Sequence, residues 1–123
     1  MSNHPPEENR PPIDHSTALG HLEGDRELLR EIHAVFLEEA PRQFRQLQAA
    51  LANEDRERSA RHAHTLKGMA GQIGAFLLEK ACRHLEATLL NETGDPDPES
   101  IRQLARLLEQ VLAELTSSEN APL

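Results

Sequence analysis

The stretch DRELLREIHAVFLEEAPRQFRQLQAAL, residues 25–51, carries the clearest structural pattern of this chain. Its apolar residues recur at steps of three and four, the spacing that places them on one face of an α-helix. These residues are Leu28, Leu29, Ile32, Val35, Phe36, Ala40, Phe44, Leu47 and Leu51. Asp25 is predicted to cap the helix, because a carboxylate accepts hydrogen bonds from the first backbone amides. Pro41 removes one backbone hydrogen bond, so the helix is expected either to bend or to break near Ala40.

Similar patterns lie on both sides of this segment. A short helix is predicted from about Asp14 to Leu22, and longer ones over about 53–74, 76–91 and 98–115. The apolar faces of the three longer helices are Ala63, Leu66, Ala70, Ile73 and Leu77; Leu78, Ala81, Cys82, Leu85 and Leu89; and Ile101, Leu104, Leu108, Val111, Leu112 and Leu115. Long helices joined by short loops predict an all-α fold, an antiparallel up-down four-helix bundle with the short extra N-terminal helix at one end.

The size and composition of the chain agree with one small helical domain. It has 123 residues, no tryptophan or tyrosine and only three phenylalanines, which is typical of packed amphipathic helices rather than of a sheet. We expect a flexible proline-rich leader over residues 1–12, the bundle over 13–116 and a flexible polar tail over 117–123.

Charge and cysteine content narrow the class of protein. A net charge of −8 argues against nucleic-acid binding, which needs a basic surface. The single cysteine, Cys82, cannot form an internal disulfide, and no segment resembles a signal peptide. No apolar run approaches the roughly 20 residues of a membrane span. A cytoplasmic protein without membrane contact is therefore expected.

The segment AHTLKGMAGQIGA, residues 63–75, combines a histidine, a lysine and glycines at helical spacing. At about 100° per residue, His64 points about 150° away from the centre of the apolar face, towards solvent. Gly68 lies one turn later and leaves the imidazole uncovered, which would compensate for the roughly 1 kcal/mol that glycine costs a helix. Lys67 places an ammonium where an anion on the ring would sit. These features predict a histidine that carries a phosphoryl group.

The sequence resembles the histidine-containing phosphotransfer (HPt) domain of two-component phosphorelays. The resemblance covers most of the chain, and its specific residues are His64-Thr65-Leu66-Lys67-Gly68, Ala70, Ile73-Gly74-Ala75, Cys82 and Leu85-Glu86, with Leu22-Glu23-Gly24-Asp25 and Phe36-Leu37-Glu38-Glu39-Ala40-Pro41 upstream. A lone HxxKG motif would be weak, but the combination is fairly specific.

The resemblance implies a relay function with assigned residue roles. His64 would accept a phosphoryl group from a receiver-domain aspartate, such as that of a hybrid histidine kinase, and pass it to the aspartate of a response regulator. Lys67 would stabilise the phosphoryl charge, Gly68 would give the receiver access, and Glu86 would hold and orient the imidazole. No cofactor is expected on this chain, with Mg²⁺ on the partner receiver. A monomeric phosphoryl carrier without its own nucleotide or kinase site is implied.

Two positions depart from the family pattern. Met69 stands where serine or alanine is common, and it could simply pack beside a neighbouring helix. A basic residue is often present on the second helix of the site, where this chain has Leu89-Leu90. Arg61 and Arg83 could supply the missing charge.

Several alternatives compete with the phosphoryl-carrier interpretation. Seven histidines raise the question of a metal site, but Glu31 and His33 miss the Glu-x-x-His spacing of bundle sites. A kinase would need a nucleotide-binding segment, and a sensor-kinase dimerisation domain usually has an acid directly after its histidine, where Thr65 stands. A helical adaptor that docks receiver domains without carrying phosphate remains open. Structural roles are expected for three histidines and two glycines: His33, His62, His84, Gly71 and Gly74.

Overall fold

The described part of the chain forms five α-helices. The computed structural model describes residues 10–91 and 94–120, of which 118–120 are described by backbone alone, and it contains no strand in these ranges. The helices are α1 (His15–His21), α2 (Arg26–Ala52), α3 (Arg56–Gln72), α4 (Phe76–Asn91) and α5 (Pro98–Asn120). The predicted all-α bundle with a short extra N-terminal helix is confirmed.

Three of these helices have an aspartate as the N-terminal cap. Asp14, Asp25 and Asp55 each accept a hydrogen bond from the backbone amide three residues later, at 3.1, 3.0 and 3.1 Å. Each bond satisfies an amide that has no partner within the helix. At Pro41 the sequence left two outcomes open, and α2 is a continuous helix through it.

Two predicted helix ends were wrong. α3 ends at Gln72 rather than Gly74, because Gly74 adopts φ +78° and closes the helix. α5 continues to Asn120, past the predicted end at Leu115, since its polar last turns contain no proline or glycine to stop the backbone hydrogen bonding. The expected leader, bundle and tail limits remain predictions, and residues 1–9 and 121–123 lie outside the described part of the chain.

The hydrophobic core lies between α2, α3, α4 and α5. Its largest fully buried side chains are Phe36, Leu47, Leu66, Ile73, Leu78, Leu104, Leu115, Val111 and Cys82, together with Ile13 from the segment before α1. Burial raises the pKa of the Cys82 thiol to about 12, so this thiol stays protonated and inert. Leu28 and Val35, which the sequence places on the apolar face of α2, are 39 % and 57 % exposed. Among the residues that the structure describes, no helix has the length and hydropathy of a membrane span.

The turn between α3 and α4 also anchors the N-terminal helix. The Ala75 amide donates to the Ala70 carbonyl at 2.9 Å and the Gly74 amide to the Gly71 carbonyl at 3.2 Å, the paired bonds of a Schellman cap. The Gly74 carbonyl accepts from the Asp14 amide at 2.9 Å. A Cβ atom at residue 74 would collide with the Asp14 carbonyl oxygen. Gly74 therefore has the structural role expected from the sequence.

Replacing Gly74 with alanine is expected to lower the free energy of unfolding by roughly 2–3 kcal/mol, because a left-handed backbone and a collision act together. The matched control is Gly24→Ala, where φ is +82° but no atom lies within 4 Å of the new Cβ. That variant should lose only about 1 kcal/mol. Urea denaturation measures both. Equal losses would show that the contact between Asp14 and Gly74 contributes nothing to docking α1.

Candidate functional site

His64 lies near the middle of α3 on its solvent side. Its side chain is 65 % exposed, whereas Ala63 and Leu66, on the opposite face of the helix, are fully buried. The predicted outward orientation of His64 is therefore confirmed. Helical periodicity alone explains it, because the core takes the apolar face and leaves the opposite face in water.

A single carboxylate from the next helix contacts both His64 and Lys67. Glu86 of α4 places Oε2 2.7 Å from Nδ1 of His64, and its Oε1 accepts a hydrogen bond from the Lys67 ammonium at 2.5 Å. The side chains of Glu86 and Lys67 are 15 % and 24 % exposed, so this bridge lies partly below the surface while the imidazole stands above it. The family resemblance implies that Glu86 contacts the histidine ring, and in the structure Glu86 does contact it.

The charge of Glu86 determines which ring nitrogen is available. The hydrogen bond from Lys67 is the main cause that lowers the pKa of Glu86, and the bond to His64 acts in the same direction. Glu86 is therefore an ionised carboxylate at neutral pH, and a carboxylate only accepts hydrogen bonds. The proton of a neutral His64 ring must then reside on Nδ1, which donates to Oε2. Nε2 retains its lone pair and is the nucleophilic atom of the exposed ring.

Gly68 leaves open space one turn after His64. A Cβ atom built at residue 68 meets no atom within 4 Å, so packing does not require a glycine there. A Cβ at Gly71 would meet the Glu79 carboxylate, the end of a flexible side chain that can move aside. The packing around Gly68 therefore does not explain its small size, and Gly68 lies one turn after His64.

An apolar groove between α2 and α3 was missed at the level of sequence. It has a volume of about 340 Å³, and its lining includes Leu28, Ile32, Val35 and Met69. Met69 follows Gly68 directly and packs against the hydrophobic core, and it lines this groove together with residues of α2. We refer to this feature as the α2–α3 groove. Its signal in the sequence is the unusual width of the apolar face of α2.

The described contacts of the remaining candidates are with residues other than His64. Arg61 and Arg83, considered as substitutes for a missing basic residue, pair with Glu57 and Glu79 within their own helices at 3.4 and 3.6 Å. His62 is half-buried, with Nδ1 3.0 Å from Oε1 of Gln43 on α2. This contact agrees with the structural role expected for His62. Within the described ranges, no group of three or more His, Cys, Asp or Glu side chains is arranged to hold a metal ion.

The lowered pKa of Glu86 predicts a pH-dependent contribution to stability. Because the carboxylate is favoured in the folded state, its stabilisation is present above the ordinary glutamate pKa of 4.5 and is lost as the pH falls through the lowered value. At pH 7, Glu86→Gln should lower the free energy of unfolding by roughly 1–2 kcal/mol. This difference should shrink steadily below about pH 4.5.

Urea titrations of both proteins at several pH values measure that difference. Glu57→Gln is the control, because its ion pair with Arg61 is exposed on the surface and contributes little. A difference between wild type and Glu86→Gln that is constant from pH 7 to pH 3 would contradict the ionised bridge.

Comparison with known proteins identifies the family. A family model described as the Hpt domain matches residues 31–114. The chain belongs to the Hpt domain family. An Hpt domain has a phosphotransfer role in two-component signalling, and the matched range contains His64, Lys67, Gly68 and Glu86.

Solved Hpt structures share the fold. Histidine-containing phosphotransfer protein B (HptB) from Pseudomonas aeruginosa is 24 % identical, with a TM-score of 0.80 over 89 % of this chain and 96 % of that one. The HPT domain of a sensor hybrid histidine kinase from Shewanella is 20 % identical, with a TM-score of 0.78 over 89 % of this chain and 97 % of that one. Comparison with curated proteins gives no significant match.

Proposed function

We propose that this Hpt domain accepts a phosphoryl group on Nε2 of His64 from the aspartate of one receiver domain and delivers it to the aspartate of another. The observation that carries the proposal is the geometry of the imidazole. Its Nδ1 is bound to the Glu86 carboxylate at 2.7 Å, while the rest of the ring stands in solvent beside the side-chain-free surface of Gly68.

In this transfer each bond formed is matched by a bond broken, and no proton moves. The Nε2 lone pair attacks the phosphorus of the aspartyl phosphate, the N–P bond forms, and the P–O bond to the aspartate breaks to release its carboxylate. The ring gains positive charge and keeps its proton on Nδ1, where the ionised Glu86 stabilises it. In the onward step a second aspartate attacks phosphorus, the N–P bond breaks, and the ring returns to its neutral form. Glu86 is thus a positioning residue.

Lys67 supports the same transfer electrostatically. Phosphoryl transfer passes through a loose transition state with negative charge on three equatorial oxygens, so a nearby cation lowers its energy. The Lys67 ammonium has three N–H donors, and the bond to Glu86 occupies one of them. The others can reach the transferred group while Glu86 holds the lysine in place. In this proposal the partner receiver supplies the Mg²⁺, and the chain itself is a carrier with no kinase chemistry.

The α2–α3 groove is a second surface suited to a protein partner. Met69, which lines it, stands about 140° around α3 from His64, and Val35 on its rim is 57 % exposed. Exposed apolar side chains are typical of a protein-binding surface.

Phosphoryl labelling of the full chain tests the function. Receiver domains encoded in the same genome are charged with labelled acetyl phosphate and mixed with the protein. We expect label that is acid-labile and base-stable, located on His64 by mass spectrometry, and lost when a second, uncharged receiver is added. Receivers that bind while His64 remains unlabelled would instead establish the non-phosphorylated adaptor. Label on another residue would remove His64 from the mechanism.

A further inference from the structure

Glu86 is an acidic side chain that binds two groups of the neighbouring helix at once. Its Oε2 lies 2.7 Å from Nδ1 of His64, and its Oε1 accepts a hydrogen bond from Lys67 at 2.5 Å. The Glu86 side chain is only 15 % exposed, so solvent and salt screen its charge less than they screen an ion pair on the open surface. The charge of this carboxylate therefore acts strongly on the ring nitrogen that it contacts.

The other charged side chains on this side of α3 and α4 are paired within their own helices. On α3, Arg61 contacts Glu57 at 3.4 Å, and on α4, Arg83 contacts Glu79 at 3.6 Å. Each pair sums to no net charge, and the arginine of each is well exposed to water, which weakens its field. In the described part of the chain, the acidic group that contacts Nδ1 of the ring is Glu86 alone.

Once the ring is phosphorylated, the proton on Nδ1 controls how easily the phosphoryl group leaves. In the onward step the aspartate carboxylate of the second receiver bonds to phosphorus, the N–P bond breaks, and its electron pair stays on Nε2. If Nδ1 carries its proton, the ring leaves as a neutral imidazole. If that proton has been lost to water, the ring would have to leave as an imidazolate anion, which is a far poorer leaving group. Efficient onward transfer therefore requires a protonated Nδ1.

We propose that Glu86 keeps the phosphorylated ring of His64 protonated at Nδ1 and thereby keeps the phosphoryl group transferable at and above neutral pH. This inference rests on the relay function proposed above and concerns the phosphorylated state of the same site. A carboxylate at hydrogen-bond distance favours the charged form of an imidazole. The Lys67 ammonium keeps the carboxylate from taking the proton itself, because its hydrogen bond lowers the pKa of Glu86. An amide in the same place would supply the hydrogen bond without the charge.

The full chain with ¹⁵N-labelled histidine, phosphorylated by the small donor phosphoramidate, tests the proposal without a receiver. The Nδ1 resonance of phosphorylated His64 is followed from pH 5.5 to pH 10, and its titration midpoint reports the loss of the proton. Glu86→Gln removes the charge and keeps an oxygen that can accept from Nδ1, and its midpoint should lie at least about one pH unit below that of the wild type. Glu79→Gln, about two turns earlier on the same side of α4, makes the same change in net charge and should move the midpoint by less than about 0.3 unit.

Onward transfer provides the second measurement. Phosphorylated wild type and Glu86→Gln are mixed with the same uncharged receiver domain at each pH, so that the ratio of their rates cancels the pH dependence of the receiver. The rate of the variant relative to wild type should fall about tenfold for each pH unit between the two midpoints. Midpoints that agree within about 0.3 unit, or a rate ratio that stays constant with pH, would overturn the proposal. Receivers that neither load nor unload His64 would instead contradict the relay function, and the titration would still decide the role of Glu86.

Discussion

Replacement of His64 by glutamine is expected to abolish phosphoryl transfer to this protein, with label falling below detection. Glutamine is close in size to histidine and can still donate a hydrogen bond to Oε2 of Glu86. It has no basic nitrogen with a free lone pair, so it cannot attack phosphorus. Because His64 is 65 % exposed and on the solvent face of α3, the fold should be unaffected. Labelling by charged receivers, together with circular dichroism, measures both consequences.

The matched control for this experiment is His84→Gln. His84 is also an exposed histidine of a central helix, but it stands about 160° around α4 from Glu86. Its label should equal that of the wild type. Receiver binding should persist in both variants, since each replaces one exposed side chain and leaves the fold unchanged. Equal labelling of His64→Gln and wild type would contradict the assignment of the acceptor.

The arrangement of the three site residues on α3 could be predicted from the sequence because they belong to one helix. His64, Lys67 and Gly68 lie within a turn or so of one another, and a constant rotation per residue orients them relative to the apolar face. Glu86 lies on a different helix, and its distance from His64 depends on how far α4 has shifted along α3. Periodicity determines the rotation of each helix but not that relative shift. The family resemblance therefore pointed to Glu86, and its bond to Lys67 became visible only in the structure.

The α2–α3 groove shows what the apolar pattern of α2 can and cannot predict. At about 100° per residue, Val35 lies about 60° to one side of Ile32, whereas Phe44 lies about 120° to the other side. A face this broad is wider than one set of neighbouring helices covers, so one edge must meet solvent. Leu28 and Val35 are on that edge, and they are exposed. The width predicts an exposed edge, but only the packing of α3 and α5 decides which edge it is.

Replacement of Gly68 by glutamine is expected to raise the stability of the protein while it slows phosphoryl transfer from receivers. The new side chain meets open space, and glutamine favours a helix over glycine by up to about 1 kcal/mol, so the melting temperature should rise. The same side chain leans towards the previous turn and covers the imidazole of His64. A receiver aspartate held even about 1 Å too far away can lose about a hundredfold in rate. We therefore expect transfer from charged receivers to fall at least about a hundredfold.

Two measurements assign that loss to access. Phosphoramidate, a small phosphoryl donor, should still phosphorylate His64 of Gly68→Gln within a few-fold of the wild-type rate, because it needs little room. Gly20→Gln, at a helical glycine of α1 that also has open space around its Cβ, should gain stability and keep the wild-type transfer rate. Receiver transfer that stays within a few-fold of wild type in Gly68→Gln would contradict the access role. A more stable protein that transfers poorly would show that the glycine is kept for the approach of the partner, at a cost to helix stability.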